Sequence, residues 1–433
     1  NGRPQQPRVM QRHDTDVLVI GAGLVGAACA LRLAQAGRQV CLVDAQPPGQ
    51  GASFGNAGHV ATEQRVPLAN PQVLRAAWSY LRDADGPLRL RAAYLLPLLP
   101  WLARFVWAAR PSALARGIAA LVALQQTALD DLTDLMGQAG IADLLHHDGY
   151  LRVWESAAGE QVALAQAREM AALGVPGDVV AASDIRTEAP GLNAEVRGGI
   201  CYPGTGHVAD PHAVCTGLVD ALLRAGGQLR QARVLRIEPS SDGPLAVHLQ
   251  GGELLRARQV LLCAGAWSAP LAASLGYRVP LDTERGYHIT VPWSAAAGTK
   301  RAQMQLRRPI ASTERNVIMT PMSVGLRMTG TVEFGGLQLP PDPHRYQLLR
   351  RSMQALLPGI DTTMASEWMG FRPSLPDHLP VLGAAPRHAG MFFAFGHQHL
   401  GLTLCGVTAR IMATLMQGGA PSIDLAPYRI DRW

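Results

Sequence analysis

The stretch that decides the fold is Thr15-Asp16-Val17-Leu18-Val19-Ile20-Gly21-Ala22-Gly23-Leu24-Val25-Gly26. An apolar run ends in glycines spaced G-x-G-x-x-G, and a second apolar run, Gln39 to Val43, closes on Asp44. Gly21 allows a tight turn off the strand, Gly23 lets backbone approach a pyrophosphate, and Gly26 permits close packing of helix on strand. A helix over about Leu24 to Ala36 would aim its unpaired N–H groups at the phosphates, with Asp44 accepting the ribose hydroxyls. Asp44 lies close to the roughly 20-residue spacing of a dinucleotide fingerprint. The motif by itself serves NAD and FAD alike.

Working outward, 433 residues suffice for two domains and a large core, and 48% hydrophobic against 17% charged residues describes a compact chain, not a disordered one. The net charge is +6, but its arginines are scattered, with no lysine-rich run and no nucleic-acid module, so nucleic acid is not an expected partner. Cys29, Cys41, Cys201, Cys215, Cys263 and Cys405 stand singly in apolar contexts without metal-ligand spacing, which predicts no metal and free thiols in a reducing, cytoplasmic compartment. Asn1 to Val9 has no apolar signal-peptide core, and Met10 is a candidate natural start.

The α/β pattern resumes with a strand over Arg197 to Tyr202, a helix over Pro211 to Ala225, strands around Leu229 to Ile237 and Leu245 to Leu249, and a buried strand over Gln259 to Cys263 that runs into Ala264-Gly265-Ala266-Trp267. A last unit pairs a strand at Met391 to Gly396 with a helix from Leu402 to about Gln417. Tyr150 to Val153 and Gly286 to Met328 alternate like antiparallel strands.

The segment Arg65 to Arg116 differs: eight arginines against two aspartates, three of the eight tryptophans, and Leu95, Leu98, Leu99, Leu102 and Val106 at helical spacing. Pro97, Pro100 and Arg104 interrupt the run short of the ~20 residues that span a bilayer. Two readings stay open: a buried helix pair, or an amphipathic surface resting on an anionic membrane.

After Asp44 comes Gly51-Ala52-Ser53-Phe54-Gly55-Asn56-Ala57-Gly58-His59, small and polar residues where an NAD enzyme would continue into a helix. Together with the Ala264-Gly265 turn, Trp368-Met369-Gly370-Phe371-Arg372-Pro373 and Gly396-His397-Gln398-His399-Leu400-Gly401-Leu402-Thr403, it resembles the D-amino acid oxidase superfamily of flavoproteins, and within it bacterial D-amino acid dehydrogenases, including those for D-proline and hydroxy-D-proline. The resemblance runs from about Asp16 to Gly418.

It implies an α/β (α+β) fold in which a Rossmann-type FAD-binding domain (15–64, 195–272 and 370–433) is interleaved with an antiparallel-sheet substrate domain (65–194 and 273–369), after a tail over 1–14. Gly21, Gly23, Gly26 and Asp44 would bind the FAD pyrophosphate and ribose. Ser53, Asn56, Ala57, Gly58 and His59 would line the flavin, and Val234 would meet adenine through its backbone. Ala264, Gly265, Trp267, Gly370 and His397 complete the expected cofactor site. Gly401, Leu402 and Thr403 would sit at the pyrimidine end of the ring, where a helix N-terminus stabilises the negative charge of reduced flavin. Many relatives carry Glu where this chain has Asp44.

For catalysis the resemblance implies Arg372 on the substrate carboxylate, a task suited to a bidentate guanidinium. His59 would stand at the reactive edge of the flavin, and Tyr287 would offer a hydroxyl from a bordering strand. Arg285 is expected to pair with Glu333 or face solvent. The implied reaction oxidises a D-amino acid to its imino acid by hydride transfer from Cα to flavin N5, electrons passing to a quinone or respiratory acceptor at a site peripheral to the inner membrane face. No cysteine lies in Trp368 to Pro373, so FAD is expected to be noncovalent. A glycine- or sarcosine-type oxidase and an FAD subunit of a heteromeric dehydrogenase share these motifs; an NAD-dependent opine or hydroxy-acid dehydrogenase lacks the flavin-lining run.

Overall fold

The computed structural model describes residues 14–83, 85–239, 244–295 and 306–433, so the expected tail up to residue 13 lies outside the described residues. The opening motif forms as expected. The strand Asp14–Ile20, the helix Leu24–Gln35 and the strand Val40–Asp44 make a βαβ unit in which the two strands pair in parallel.

Among the described residues this unit belongs to an eight-stranded sheet ordered Gln228–Gln231, Val40–Asp44, Asp14–Ile20, Leu254–Leu262. The far edge of Leu254–Leu262 is shared. Its first half pairs with Leu245–Leu249, which carries Val234–Glu238, and its second half pairs in parallel with Met391–Phe395, which carries Val381–Ala384. Val17, Leu18, Val19 and Leu261 are fully buried because both faces of the sheet are covered. One face is covered by Leu24–Gln35, Pro211–Arg224, Ala128–Ala139 and Gly401–Met416, and each fully buried Leu or Val there contributes about 1.5–3 kcal/mol.

Among the described residues the second sheet has nine strands. Ser366–Ser374, Asp282–Pro292, Gly325–Phe334, Val317–Met322 and Ile310–Ser312 run antiparallel, and the series continues through Tyr150–Trp154, Gly198–Tyr202 and Asp178–Ala181, with Leu88–Leu90 joined to Gly325–Phe334. Helix Pro343–Leu356 packs on one face. Three short strands, His59–Val60, Gly206–Val208 and Leu145–His146, form a small third sheet.

Two assignments made from sequence change. Gly198–Tyr202, expected in the dinucleotide domain, pairs with Tyr150–Trp154 and Asp178–Ala181. Gly198, Gly199, Ile200 and Tyr202 are all buried, so the run looks like a parallel core strand although it lies in the other sheet. The helices Pro111–Gln125 and Ala128–Ala139, placed with the substrate domain, bury Leu121, Leu124, Leu132 and Leu135 in the core of the first sheet instead.

Candidate active site

A cavity of about 820 Å3 is walled by both sheets. The first sheet contributes the turn after Asp14–Ile20, the end of Val40–Asp44, Val234, the Cys263–Trp267 turn and Gly396–Leu402; the second contributes Tyr150, Arg152, Gly286, Trp368, Gly370 and Arg372.

The first strand's turn is built as a cradle. Gly21 has φ +110°, and a β-carbon there would lie 2.3 Å from the Cys263 carbonyl oxygen. A β-carbon on Gly26 would lie 1.8 Å from the Gly21 oxygen, so the helix can pack this closely only with glycine. Gly23 precedes the helix in extended conformation with no side-chain cap, and Ser53 Oγ accepts the Leu24 N–H at 3.1 Å. Gly23, Leu24 and Val25, at the start of the helix, line the cavity, where helix N-terminal N–H groups suit a diphosphate. Asp44 accepts the N–H of Ala22 at 2.7 Å through Oδ2 and that of Gln46 at 2.9 Å through Oδ1. A carboxylate has about four acceptor positions, so two stay open to ribose hydroxyls. These residues fit a dinucleotide.

The Gly51–His59 loop is held from behind. Arg327, buried from the second sheet, donates to the Asn56 carbonyl at 2.7 Å, and burial lowers its pKa to about 10. Asn56 Oδ1 accepts the Gly58 N–H at 2.8 Å. The Trp368 indole lies across Gly55 and Gly370 and stacks on His288 at 5.1 Å. His288 bonds the Gly55 carbonyl through Nδ1 at 3.1 Å, and burial pushes it down to about 3.

Most of the expected cofactor residues line the cavity: Gly21, Gly23, Asp44, Ser53, Asn56, Ala57, His59, Val234, Ala264, Gly265, Trp267, Gly370, His397, Gly401 and Leu402. Gly26, Gly58 and Thr403 stand behind the wall. Thr403 Oγ1 accepts the Ala61 N–H at 2.9 Å, tying the last helix to the chain after His59. His397 bonds Thr408 Oγ1 at 3.0 Å, and burial takes it down to about 3, so it is neutral. Helix Gly401–Met416 starts at Leu400 without a side-chain cap, leaving the N–H groups of its first turn free beside the cavity.

Arg372 reaches the cavity wall, half-buried, and makes no hydrogen bond or ion pair among the described residues. Burial lowers its pKa, with the Glu284 charge acting the other way. Glu284 is occupied by Ser374, whose hydroxyl donates at 2.6 Å, and burial raises its carboxyl. A guanidinium in low dielectric with no acid on it is a receptor for an anionic ligand.

Tyr287 does not reach the site. It is fully buried on the opposite face of its strand, donating to Glu333 Oε1 at 3.1 Å and accepting the Asp342 N–H at 3.0 Å. Arg285, on the same face, donates to Glu333 at 3.0 Å, the first of the two expectations for it. Gly286, between them, faces the cavity. His59 lines the cavity beside Tyr150, ring centroids 4.5 Å apart, and its Nε2 bonds Glu63 at 2.9 Å. Burial opposes ionisation of Glu63, but the His59 contact, a backbone hydrogen bond and the charge of Arg152 together outweigh it and hold the carboxyl below its usual range. Tyr150, Arg152 and Glu63 were missed from sequence; the period-two spacing of 150 and 152 in the strand was the available signal.

The family model described as DAO, FAD dependent oxidoreductase, matches residues 16–415. The chain belongs to this family. As a member it is an FAD-dependent oxidoreductase, and the glycine cradle is its FAD-binding turn. It is 32% identical to a D-amino-acid oxidase of Bradyrhizobium diazoefficiens over 96% of this chain and 98% of that one. It is 30% identical to a D-amino acid dehydrogenase of Cereibacter sphaeroides over 96% and 95%. The fold of this flavoenzyme is shared with glycine oxidase from Geobacillus kaustophilus (TM-score 0.73, 23% identity, 97% and 99% covered) and L-proline dehydrogenase from P. horikoshii (TM-score 0.72, 16% identity, 97% and 98% covered).

Proposed function

We propose that the chain oxidises a D-amino acid at the carbon bearing the amine, D-proline and 4-hydroxy-D-proline among the candidates, and passes the electrons to a quinone or other respiratory acceptor. The observation that carries this reading is the unpaired Arg372 guanidinium on a cavity whose other walls fit FAD. The curated relatives named D-amino acid oxidase and dehydrogenase support the D series.

Arg372 binds the substrate carboxylate in two parallel hydrogen bonds and so sets which face of Cα is presented. Gly286 leaves the room in which that guanidinium lies. Trp368 and Tyr150 shield the site from water, which strengthens the charge pair. FAD, when bound, takes up the hydride lost from Cα. The amine proton is released, and water hydrolyses the imine to a 2-oxo acid and ammonia, or opens it where the amine is a ring nitrogen. Of the six cysteines, Cys263 lines the cavity, at the Gly21 turn and away from Arg372, which supports noncovalent FAD. A position on the inner face of the cell membrane accompanies this reading, through the exposed side of helix Leu95–Ala108.

The test is anaerobic bleaching of the bound flavin by paired D- and L-amino acids, glycine and sarcosine, with dye reduction and hydrogen peroxide followed in parallel. Bleaching by D isomers with dye turnover supports the proposal. No bleaching by any D isomer sinks it, and peroxide equal to substrate consumed would move the acceptor to oxygen.

A further inference from the structure

Arg372 shares its end of the cavity with a histidine. Gln398 donates its N–H to the Pro373 carbonyl at 3.1 Å, so His399 and Arg372 each stand one residue from the same hydrogen bond, and both line the cavity. The turn that carries His399 is fixed. Gln398 takes φ +55°, which costs a residue with a β-carbon, and its side-chain amide donates to the Leu375 carbonyl at 3.2 Å.

His399 is both oriented and neutral. Its Nε2 bonds Gln64 Oε1, which can only accept, so Nε2 carries the ring hydrogen and Nδ1 the lone pair. Gln64 is itself anchored, its carbonyl accepting Gln125 Nε2 at 2.6 Å. Burial takes His399 down to about 3, and the Arg372 charge acts the same way, with Glu63 opposing and His59 adding. His378 stands beside it, ring centroids 5.3 Å apart, and is held neutral by burial. His399 Nδ1 has no partner among the described residues and, unlike the partnerless Nδ1 atoms of His59 and His207, is not sealed from solvent. Of the other cavity histidines, His59 has its Nε2 on Glu63, and on His397 burial alone acts, whereas the Arg372 charge reaches His399.

Resting on the amino acid reading above, we propose that His399 Nδ1 accepts a hydrogen bond from the amino group of the substrate while Arg372 holds its carboxylate. The two groups hang on one carbon in an α-amino acid, and their receptors here are neighbours across one backbone hydrogen bond. With both held, the hydrogen and the side chain of Cα are placed, which a carboxylate contact alone leaves free to rotate. Glu63, the acid whose charge reaches His399, is engaged by His59 and does not line the cavity, so the imidazole and not a carboxylate receives the amine. A primary amine or a ring N–H meets this requirement, and an acid with carbon in place of the nitrogen does not.

The test uses matched pairs in which carbon replaces the amine nitrogen: D-alanine against isobutyrate, and D-proline against cyclopentanecarboxylate. Kd is read on the FAD-loaded protein from the absorbance change of the flavin under anaerobic conditions. Wild type is expected to bind the amino acid about tenfold or more tightly than its carbon analogue, the value of one hydrogen bond to a charged group. His399→Phe should bring that ratio close to one while Kd for the analogue stays within about twofold, because Arg372 is untouched. His399→Asn, whose Oδ1 stands near the position of Nδ1, should keep part of the preference. The wild-type ratio tests the proposal even if a variant fails to fold. A ratio near one in the wild type overturns this inference, as does a preference undiminished in His399→Phe or a loss of amino acid and analogue alike; none of these touches the proposed function. A preference that lapses in His399→Phe, with no bleaching of the flavin by any D isomer, overturns the proposed function and leaves the amine contact standing.

Discussion

The guanidinium of Arg372 lies directly over the backbone of Gly286: a β-carbon at 286 would stand 2.5 Å from Nη2, 2.6 Å from Cζ and 2.7 Å from Nε. The two strands pair with Gly286 opposite Gly370 and Glu284 opposite Arg372, so the arginine lies diagonally across the glycine and covers it. The clash would fall on the far end of a flexible side chain, not on backbone.

Gly286→Ala is therefore expected to move Arg372 and spare the fold. KM for the amino acid should rise about tenfold, the loss of roughly one charge-assisted bond, with a smaller change in kcat and no loss of bound FAD. Steady-state kinetics and flavin absorbance check this. An unchanged KM would mean that Arg372 does not hold the substrate from its present position.

Tyr287 has the opposite role. Removing its hydroxyl with Tyr287→Phe leaves the Asp342 N–H without its acceptor and deprives Glu333 Oε1 of one donor, beside an Arg285 that depends on the same carboxylate. The expected cost is about 1–3 kcal/mol of stability, read by denaturant unfolding, with kcat within about twofold of wild type. A large fall in kcat at unchanged stability would return Tyr287 to the active site.

That Arg372 lines the cavity while Tyr287 stands off it has a physical cause. The FAD turn is local: its strand, glycines and acid are contiguous in sequence, and each glycine answers a contact made within the same unit. In Asp282–Pro292 every residue from Thr283 to Val291 is buried, so no alternation of polar and apolar positions marks which face meets the ligand. A register shift between Tyr287 and His288 disturbs the parity further. The helices over 111–139 were misassigned because an apolar helix stripe does not say which of two sheets it covers.

Three buried histidines predict acid sensitivity. Burial takes His207 down to about 4 and His288 and His397 to about 3, from an ordinary value of 6.5. The folded state holds them neutral while the unfolded chain protonates them below 6.5, so stability is full above that pH and falls as the pH drops towards 3–4. Each histidine contributes a slope of up to about 1.4 kcal/mol per pH unit in that window. Thermal melts from pH 7.5 to 5 should show Tm falling with acidity; a flat profile would mean that these rings are hydrated or charged in the native state.

The helix Leu95–Ala108 divides the stripe seen in sequence. Leu98 and Trp101 are buried against Phe334, and Trp101 Nε1 donates to the Ser374 carbonyl at 3.2 Å. Leu95, Leu96, Leu99, Val106 and Trp107 face outward, with Leu96 79% and Trp107 67% exposed. No helix of the described residues is by itself long and apolar enough to cross a membrane. Between Asp85 and Asp130 there is no acidic residue, while Arg89, Arg91, Arg104, Arg110 and Arg116 are all present. Arg91 is held by Glu333 at 3.5 Å and Asp342 at 3.9 Å, but outward leucines and a tryptophan beside the other arginines suit the surface of an anionic bilayer, into which the apolar side chains insert while those arginines meet the headgroups. Co-sedimentation with phosphatidylglycerol vesicles is expected at low salt and should weaken as salt screens the arginines. The double variant Leu96→Glu, Trp107→Glu should cut the bound fraction about tenfold or more without altering kcat in the dye assay, because neither side chain lines the cavity. Equal binding by the double variant, or no binding at low salt, would exclude this face as the membrane contact.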